Sequence, residues 1–518
     1  MTKSFTIYIV MLSLLAPALC WSRGVDSFNI LDFGATNDTT IVHTKAINKA
    51  INTCHENGGG RVIIPSGKFK SGTILLKSNV ELFLENGARL IASDNNDDFV
   101  IMPQANYRSL KDAGGWVALI FAQEAENISI TGKGTIDGRG KKRRGLIKEF
   151  GGDLDGRPRN ILFISCKKVN ISGISMYNSA MWNQHYLNCE DVTVSNIYVF
   201  NHANGNNDGI DIDGCRRFIL TNSIIDSDDD GIVLKSTGTA PCEDIIINNC
   251  IVSSYANAIK CGTESTGGYK NILISDCIIK PSQNKGDRII KSTPSGITAI
   301  SLEVVDGGIM DGVTINNILI EGTECPLYVR LANRGRKHLA EAPTPLIGKM
   351  KNIQISNITA YNTGNFCSSI TGIPQAKIQN IYLSNIHFIN KGGLQQGNFR
   401  QMDESAKTRH DMAKDLQLEK YIESFKYVTE DEKGYPQPTV WANLPSYGLF
   451  IRNVENIEVS NASFSSEKEE PRTSIIAVNV GNLSLNQISV KKPSEADVIL
   501  SKVDQFDIDK KLKIKIEE

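Results

Sequence analysis

Residues 192–196 read Val-Thr-Val-Ser-Asn, 218–222 Phe-Ile-Leu-Thr-Asn, 245–249 Ile-Ile-Ile-Asn-Asn and 272–276 Ile-Leu-Ile-Ser-Asp. The phrase ends lie 26, 27 and 27 residues apart. Earlier copies occupy Asn127–Gly132 and Asn170–Gly173, and later ones end at Asn317, Asn357, Asn385 and Asn461. Alternating Ile and Val mean strands, and a closing Asn suits a left-handed turn position. One such coil cannot bury its own apolar face, so successive coils must stack. The expected fold is all-β: a single-stranded right-handed parallel β-helix, a solenoid.

Thr44 to Cys54 places Ala46, Ile47, Ala50, Ile51 and Cys54 at helical spacing, and Gly58-Gly59-Gly60 stops it. A short N-terminal capping helix over the open end of the solenoid is expected. His43 and His55 flank it and read as structural. Steps of 41 and 40 residues from Asp276 to Asn317 and on to Asn357 mark inserted loops, which are expected to wall a groove. The charged, helical or looped stretch 403–433 sits within 391–447, which reads as a surface excursion rather than a domain.

The chain has 518 residues, 41% hydrophobic and 22% charged, with 43 Gly and 16 Pro. That composition excludes a disordered chain, a collagen and a disulfide miniprotein, and length alone suggests several domains only if the solenoid is ignored. With 56 basic and 57 acidic residues there is no basic excess for a nucleic acid. The apolar run Ile7–Leu19 is short for a membrane span and ends among small residues. It reads as a signal peptide over 1–22, leaving 23–518 as one β-helix domain, exported to the periplasm or the exterior. Leu19 fits poorly with a lipid anchor at Cys20. The 11 cysteines recur at repeat positions, as Cys250 and Cys277 do, and read as small core hydrophobes more than as disulfides.

The chemistry lies in Asn206-Asn-Asp-Gly-Ile-Asp-Ile-Asp213 and Asp228-Asp-Asp-Gly-Ile-Val233. A 22-residue shift superposes Asp208-Gly-Ile on Asp230-Gly-Ile, and a further 27 carries Asp230 onto Asn257 and Val233 onto Lys260. Coils one strand spacing apart, ~4.8 Å, bring Asp208 beside Asp229 and Asp230, with Lys260 on the same outer face. Crowded carboxyls raise one another's pKa, so an acid can stay protonated beside an ionised base. Inverting glycoside hydrolysis has that requirement. Asp213 and Asp228 taken singly read as structural or solvated. Trp182 and His185 are candidates for a sugar subsite, weighed against a packed Trp and a surface His. No His/Cys cluster has metal spacing, and no metal or cofactor is expected.

These motifs resemble glycoside hydrolase family 28, the polygalacturonase family of the pectin-lyase-like β-helix superfamily. The resemblance rests on the Asn-x-Asp at Asn206–Asp208, the pair Asp229-Asp230, and the opening Asp32-Phe-Gly-Ala35 with Gly58–Gly60. Tyr328–Arg334 and Leu444–Arg452 look like its bacterial exo/rhamnogalacturonan-type branch. The resemblance implies Asp229 as general acid and Asp208 and Asp230 as activators of water. Asn206, Asn257, Lys260, His185 and Trp182 are the candidate substrate contacts, the resemblance implies a pectic polysaccharide or oligosaccharide as partner, and a monomer is expected. Two departures stand out. The family's Gly-His-Gly falls on Ala256-Asn257-Ala258, and its Arg-Ile-Lys falls on Ser301-Leu302-Glu303. Loss of that cationic clamp favours a rhamnogalacturonan-type substrate over endo action on polygalacturonate. The alternatives are a β-helix lyase or epimerase and a non-catalytic glycan-binding β-helix such as an adhesin.

Overall fold

A computed structural model describes residues 26–102, 116–142, 157–286, 288, 295–397, 419–441, 443–491 and 495–518. The expected signal peptide and the first half of the 403–433 stretch lie outside these residues. Nearly every strand joins one continuous sheet whose ladders run parallel, wound as a right-handed β-helix. In a typical coil, strands span Gln184–Leu187, Glu190–Ser195 and Tyr198–Asn201.

Register between coils follows the sequence repeat. An aliphatic column runs from Ile171 through Val194, Leu220, Ile247 and Ile274 to Ile315, each in register with the next and each buried. Stacked side chains of like shape exclude water along the whole axis, which is where most of the hydrophobic stabilisation resides. The phrase-ending residues take the left-handed conformation, with φ of 54° at Asn196, 53° at Asn222, 52° at Asn249, 56° at Asp276 and 57° at Asn357. Asn tolerates that region because its short amide bonds locally. Here the amides also form a ladder along the solenoid. Asn461 donates to Asn385 at 2.7 Å, Asn385 to Asn357 at 2.8 Å, and Asn357 to Asn316 at 2.7 Å.

The helix α1 (Thr44–Glu56) closes the N-terminal end and buries Ile47, Ala50, Ile51 and Cys54 on the first coil. The flanking histidines bond main-chain oxygens, His43 that of Asp38 at 2.8 Å and His55 that of Ser78 at 2.9 Å. The described cysteines are buried and unpaired, as core positions require.

One face of the solenoid carries the site. Strands along it include β1 (Ala118–Gln123), β2 (Arg159–Ile164), β3 (Gln184–Leu187), β4 (Ile210–Asp213), β5 (Ile232–Ser236), β6 (Asn257–Ser265), β7 (Thr298–Val304), β8 (Cys325–Leu331), β9 (Ser368–Thr371) and β10 (Ser446–Ser466). The 22-residue offset appears as Ile210 opposite Ile232, and the 27-residue offset as Val233 opposite Lys260. Residues 419–445 do more than skirt the surface. Ile422, Phe425, Val428, Trp441 and Leu444 pack on Tyr328 and Phe450, which point outward from β8 and β10, so this segment covers the downstream part of the face. Buried arginines fasten it: Arg452 donates to the Val428 and Thr429 carbonyls at 2.7 and 2.6 Å, and Arg330 to those of Glu430 and Asp431.

Asn385 has φ 54° and two ladder bonds, so Asn385→Val should cost about 1–2 kcal/mol in backbone strain and about 1 kcal/mol per lost hydrogen bond. Asn385→Gly, which keeps the backbone free, should cost less. Urea unfolding monitored by tryptophan fluorescence gives the comparison, and equal stability of the Val variant and the parent would contradict the ladder's role.

Candidate active site

The turns that enter β4 and β5 present the carboxylates. Asn207 is an internal staple of the first: its amide oxygen accepts from the Ala203 and Asn204 N–H groups at 2.7 and 2.5 Å, and its amide nitrogen donates to the Ser179 and Met181 carbonyls. Asn201 donates to the Asp208 carbonyl at 2.8 Å. In the second turn the hydroxyls of Ser227 and Ser254 hold the Asp229 carbonyl at 3.0 and 2.6 Å. Gly209 and Gly231 follow the carboxylates because adjacent coils close to van der Waals contact there. A Cβ on Gly209 would stand 2.6 Å from the Gly231 oxygen, and one on Gly231 2.5 Å from the Ala258 oxygen. The repeated Asp-Gly-Ile is the sequence trace of that approach.

Asp208, Asp229 and Asp230 come together at the mouths of adjacent coils, each less than a tenth exposed. Asp230 Oδ1 accepts from the Asn257 side chain at 2.6 Å and from its backbone N–H at 3.1 Å, while Oδ2 lies 3.0 Å from Lys260 Nζ. Burial raises the Asp230 pKa, but Lys260, Lys235 and Asn257 together outweigh it and leave the carboxyl below its usual value. Asp208 goes the other way. Burial, then Asp211 and Asp229, push it well up against the pull of Lys235. Neighbouring carboxyls are thus driven apart, one ionised and one inclined to hold a proton.

The other expected contacts divide. Asn257 and Lys260 are in the cluster. Trp182 forms a buried wall, with Lys235 Nζ 4.7 Å and the Arg159 guanidinium 4.9 Å from its ring. His185 packs edge-on against Trp182 at 5.0 Å and bonds Asp213 at 3.2 Å, so it is an interior residue, not a surface one. Asn206 stays at the half-buried rim, where its side-chain oxygen accepts from Arg157 at 2.9 Å. Asp213 is not solvated; it accepts from the Thr237 N–H at 2.9 Å and hydroxyl at 2.7 Å, and burial pushes it up to about 6. Asp228 is buried too, 3.7 Å from His202.

Several members of the cluster stand outside the sequence expectation. Lys235 places its ammonium 3.8 Å from Asp208, 3.5 Å from Asp211 and 3.7 Å from Glu264. The 22-residue offset also sets Asp213 opposite Lys235, so the repeat carried a signal for it. Glu303, opposite Arg330 on the next coil, is fully buried, accepts from Ser301 at 2.6 Å and lies 4.0 Å from Lys260. Burial pushes it up to about 7, against Lys260 and Ser301. Arg334 and Arg336, on the loop inserted before Asn357, bind Asp306, and Arg336 also binds Glu264 at 2.7 Å. Tyr435 reaches in from the covering segment, its hydroxyl 3.4 Å from Lys260.

Residues 54–329 match the model of glycosyl hydrolases family 28. The chain belongs to that family. A probable polygalacturonase of Vitis vinifera is 32% identical over 221 residues, which is 40% of this chain and 44% of the relative. An exo-poly-alpha-D-galacturonosidase of Dickeya chrysanthemi is 38% identical over 130 residues, 23% of this chain and 21% of the relative. The match thus spans less than half the length of these two relatives. Among solved structures, the exopolygalacturonase of Thermotoga maritima superposes with TM-score 0.58 at 22% identity, covering 70% of this chain and 87% of that one. The family 28 exopolygalacturonase of Yersinia enterocolitica gives TM-score 0.60 at 18% identity, covering 91% and 79%. Both share the β-helix of this family 28 chain.

Because Glu303 keeps its proton to a higher pH when folded than its ordinary 4.5, its contribution to stability is full in acid and is lost as pH rises through about 7. The melting temperature of the parent should therefore fall relative to Glu303→Gln between about pH 5 and pH 8. Scanning calorimetry checks this; a difference that stays constant across that window would contradict it.

Proposed function

We propose that the protein is an exported, inverting glycoside hydrolase that cleaves pectic chains of the galacturonate or rhamnogalacturonan type from one end. The observation that carries this reading is the separation of protonation states within one buried cluster, with Asp230 held ionised beside carboxyls held up. In the proposed step Asp229 protonates the glycosidic oxygen as the bond from the anomeric carbon breaks. Asp230 and Asp208 orient a water on the opposite face of the sugar. The water oxygen forms the new bond to that carbon, and its proton passes to a carboxylate. Exchange with solvent then returns a proton to Asp229. The lysine ammoniums already neutralise the carboxylates from within, which supports acid–base chemistry over a calcium-dependent elimination.

Action from one end is supported by the segment 419–445, which lies across β8 and β10 and brings Tyr435 to Lys260. A polymer running along the face meets this wall soon after the carboxylates. At the same end, Lys260 is matched by Asp230 and Glu303, and Arg334 by Asp306. A neutral sugar such as rhamnose suits that position better than a second uronate, whose carboxylate would find these cations already engaged.

Homogalacturonan and rhamnogalacturonan oligosaccharides incubated in heavy-oxygen water should give saturated products with one heavy oxygen at the new reducing end. Release of short products before any fall in polymer viscosity is expected for end-wise action. Asp229→Asn and Asp230→Asn should each reduce kcat by about 10²–10⁴. Unsaturated, unlabelled products would replace this reading by a lyase.

A further inference from the structure

Asp211 takes no part in the roles above, yet it sits inside the cluster. It is fully buried on β4, and neither carboxylate oxygen has a hydrogen-bond donor among the described residues. The Lys235 ammonium lies 3.5 Å from Asp211 and 3.8 Å from Asp208, so one cation is shared by two buried carboxyls. Lys235, itself buried against Trp182, also faces Glu264 at 3.7 Å. Other charged groups surround the pair: Arg159 on β2, Asp229 and Asp230 from the second turn, and Glu264 on β6, which is shared with Arg336. His185 and Asp213 are bonded to each other beside it.

We propose that Asp211 and Lys235 are positioning residues that set the water-activating Asp208 from opposite sides: the donor-less Asp211 carboxyl makes ionisation of Asp208 harder, and the Lys235 ammonium makes it easier. The inference rests on the hydrolytic reading above and adds to it the residues that set the base. The proton that Asp208 takes from the water passes on to solvent, so the cycle balances.

The two residues act with opposite sign, which separates this role from a merely structural one. Removing the neighbouring carboxylate in Asp211→Asn lowers the pKa of the base, so the acid limb of the kcat/KM profile should move down by about one pH unit. Removing the ammonium in Lys235→Met should move the same limb up by about one pH unit, and Lys235→Arg should restore most of the shift. Lost rate with the limb unmoved in both Asp211→Asn and Lys235→Met would overturn the proposal. Should Lys235→Met fail to fold, the near-isosteric Asp211→Asn and the charge-conserving Lys235→Arg decide it. Carbon-13 titration of the aspartate carboxyls provides a readout independent of turnover. A carboxyl titrating far above the ordinary range should disappear in Asp211→Asn, and its persistence would count against the influence of Asp211 on Asp208. A parent that cleaves no pectic substrate would defeat the hydrolytic reading while leaving that titration to stand or fall by itself.

Discussion

Every part of this molecule depends on the fixed spacing between stacked coils. Parallel strands one spacing apart place each residue directly over its counterpart roughly a coil earlier, so like meets like along the axis. Where the counterpart is aliphatic, as from Val194 to Leu220 to Ile247, the result is a dry core column. Where it is Asn at a left-handed turn, the result is a ladder of amides. Where it is Asp, the same geometry stacks negative charges and becomes costly. The carboxylate cluster is the solenoid's own repetition turned against stability at one place.

That cost is offset locally and by charge. Lys235 and Lys260 occupy positions on the site face in coils adjacent to the aspartates, and each touches more than one carboxylate. Both lysines are buried, which favours loss of the proton, but the surrounding carboxylates outweigh that and raise them instead. Two ammoniums shared among more carboxylates than they can match leave some of the acids protonated. Asp211, pushed up to about 8 chiefly by burial, and Glu303 are the groups that absorb the imbalance. Asp230 stays ionised because it alone combines Lys260 with two donors from Asn257. The difference between Asp208 and Asp230 is thus a difference in donors, not in burial.

The sequence made the repeat legible because periodic features leave periodic traces. The offsets of 22 and 27 residues predicted which residues oppose which, and the register of Val233 with Lys260 follows from them. The helix over Thr44–Cys54 was readable from its apolar spacing, and the left-handed turns from their asparagines. What was not readable came from contacts between segments without a common period. Tyr435 reaches Lys260 across 175 residues, and Trp441 packs on Tyr328 through a segment that interrupts the coils. Asp213 stays open between structural and solvated, and His185 between a sugar subsite and the surface, because an outward-facing residue on one strand is exposed unless something covers it. Here neighbouring turns and buried partners do, and alternation alone gives no warning of that.

The position of the cover also bears on how this family 28 chain works. A β-helix offers a groove as long as its axis, and a polymer can in principle lie along all of it. Arg330 and Arg452 point from β8 and β10 into the covering segment, where they spend their donors on main-chain carbonyls of Val428, Thr429, Glu430 and Asp431. Guanidiniums at those positions on an open face would be natural ligands for a uronate chain. Used to fasten residues 419–445, they are withdrawn from that task and close the groove at once. The same two side chains therefore shorten the face and make its downstream end less welcoming to negative charge, so the end-wise action and the tolerance of a neutral sugar proposed above share one structural origin.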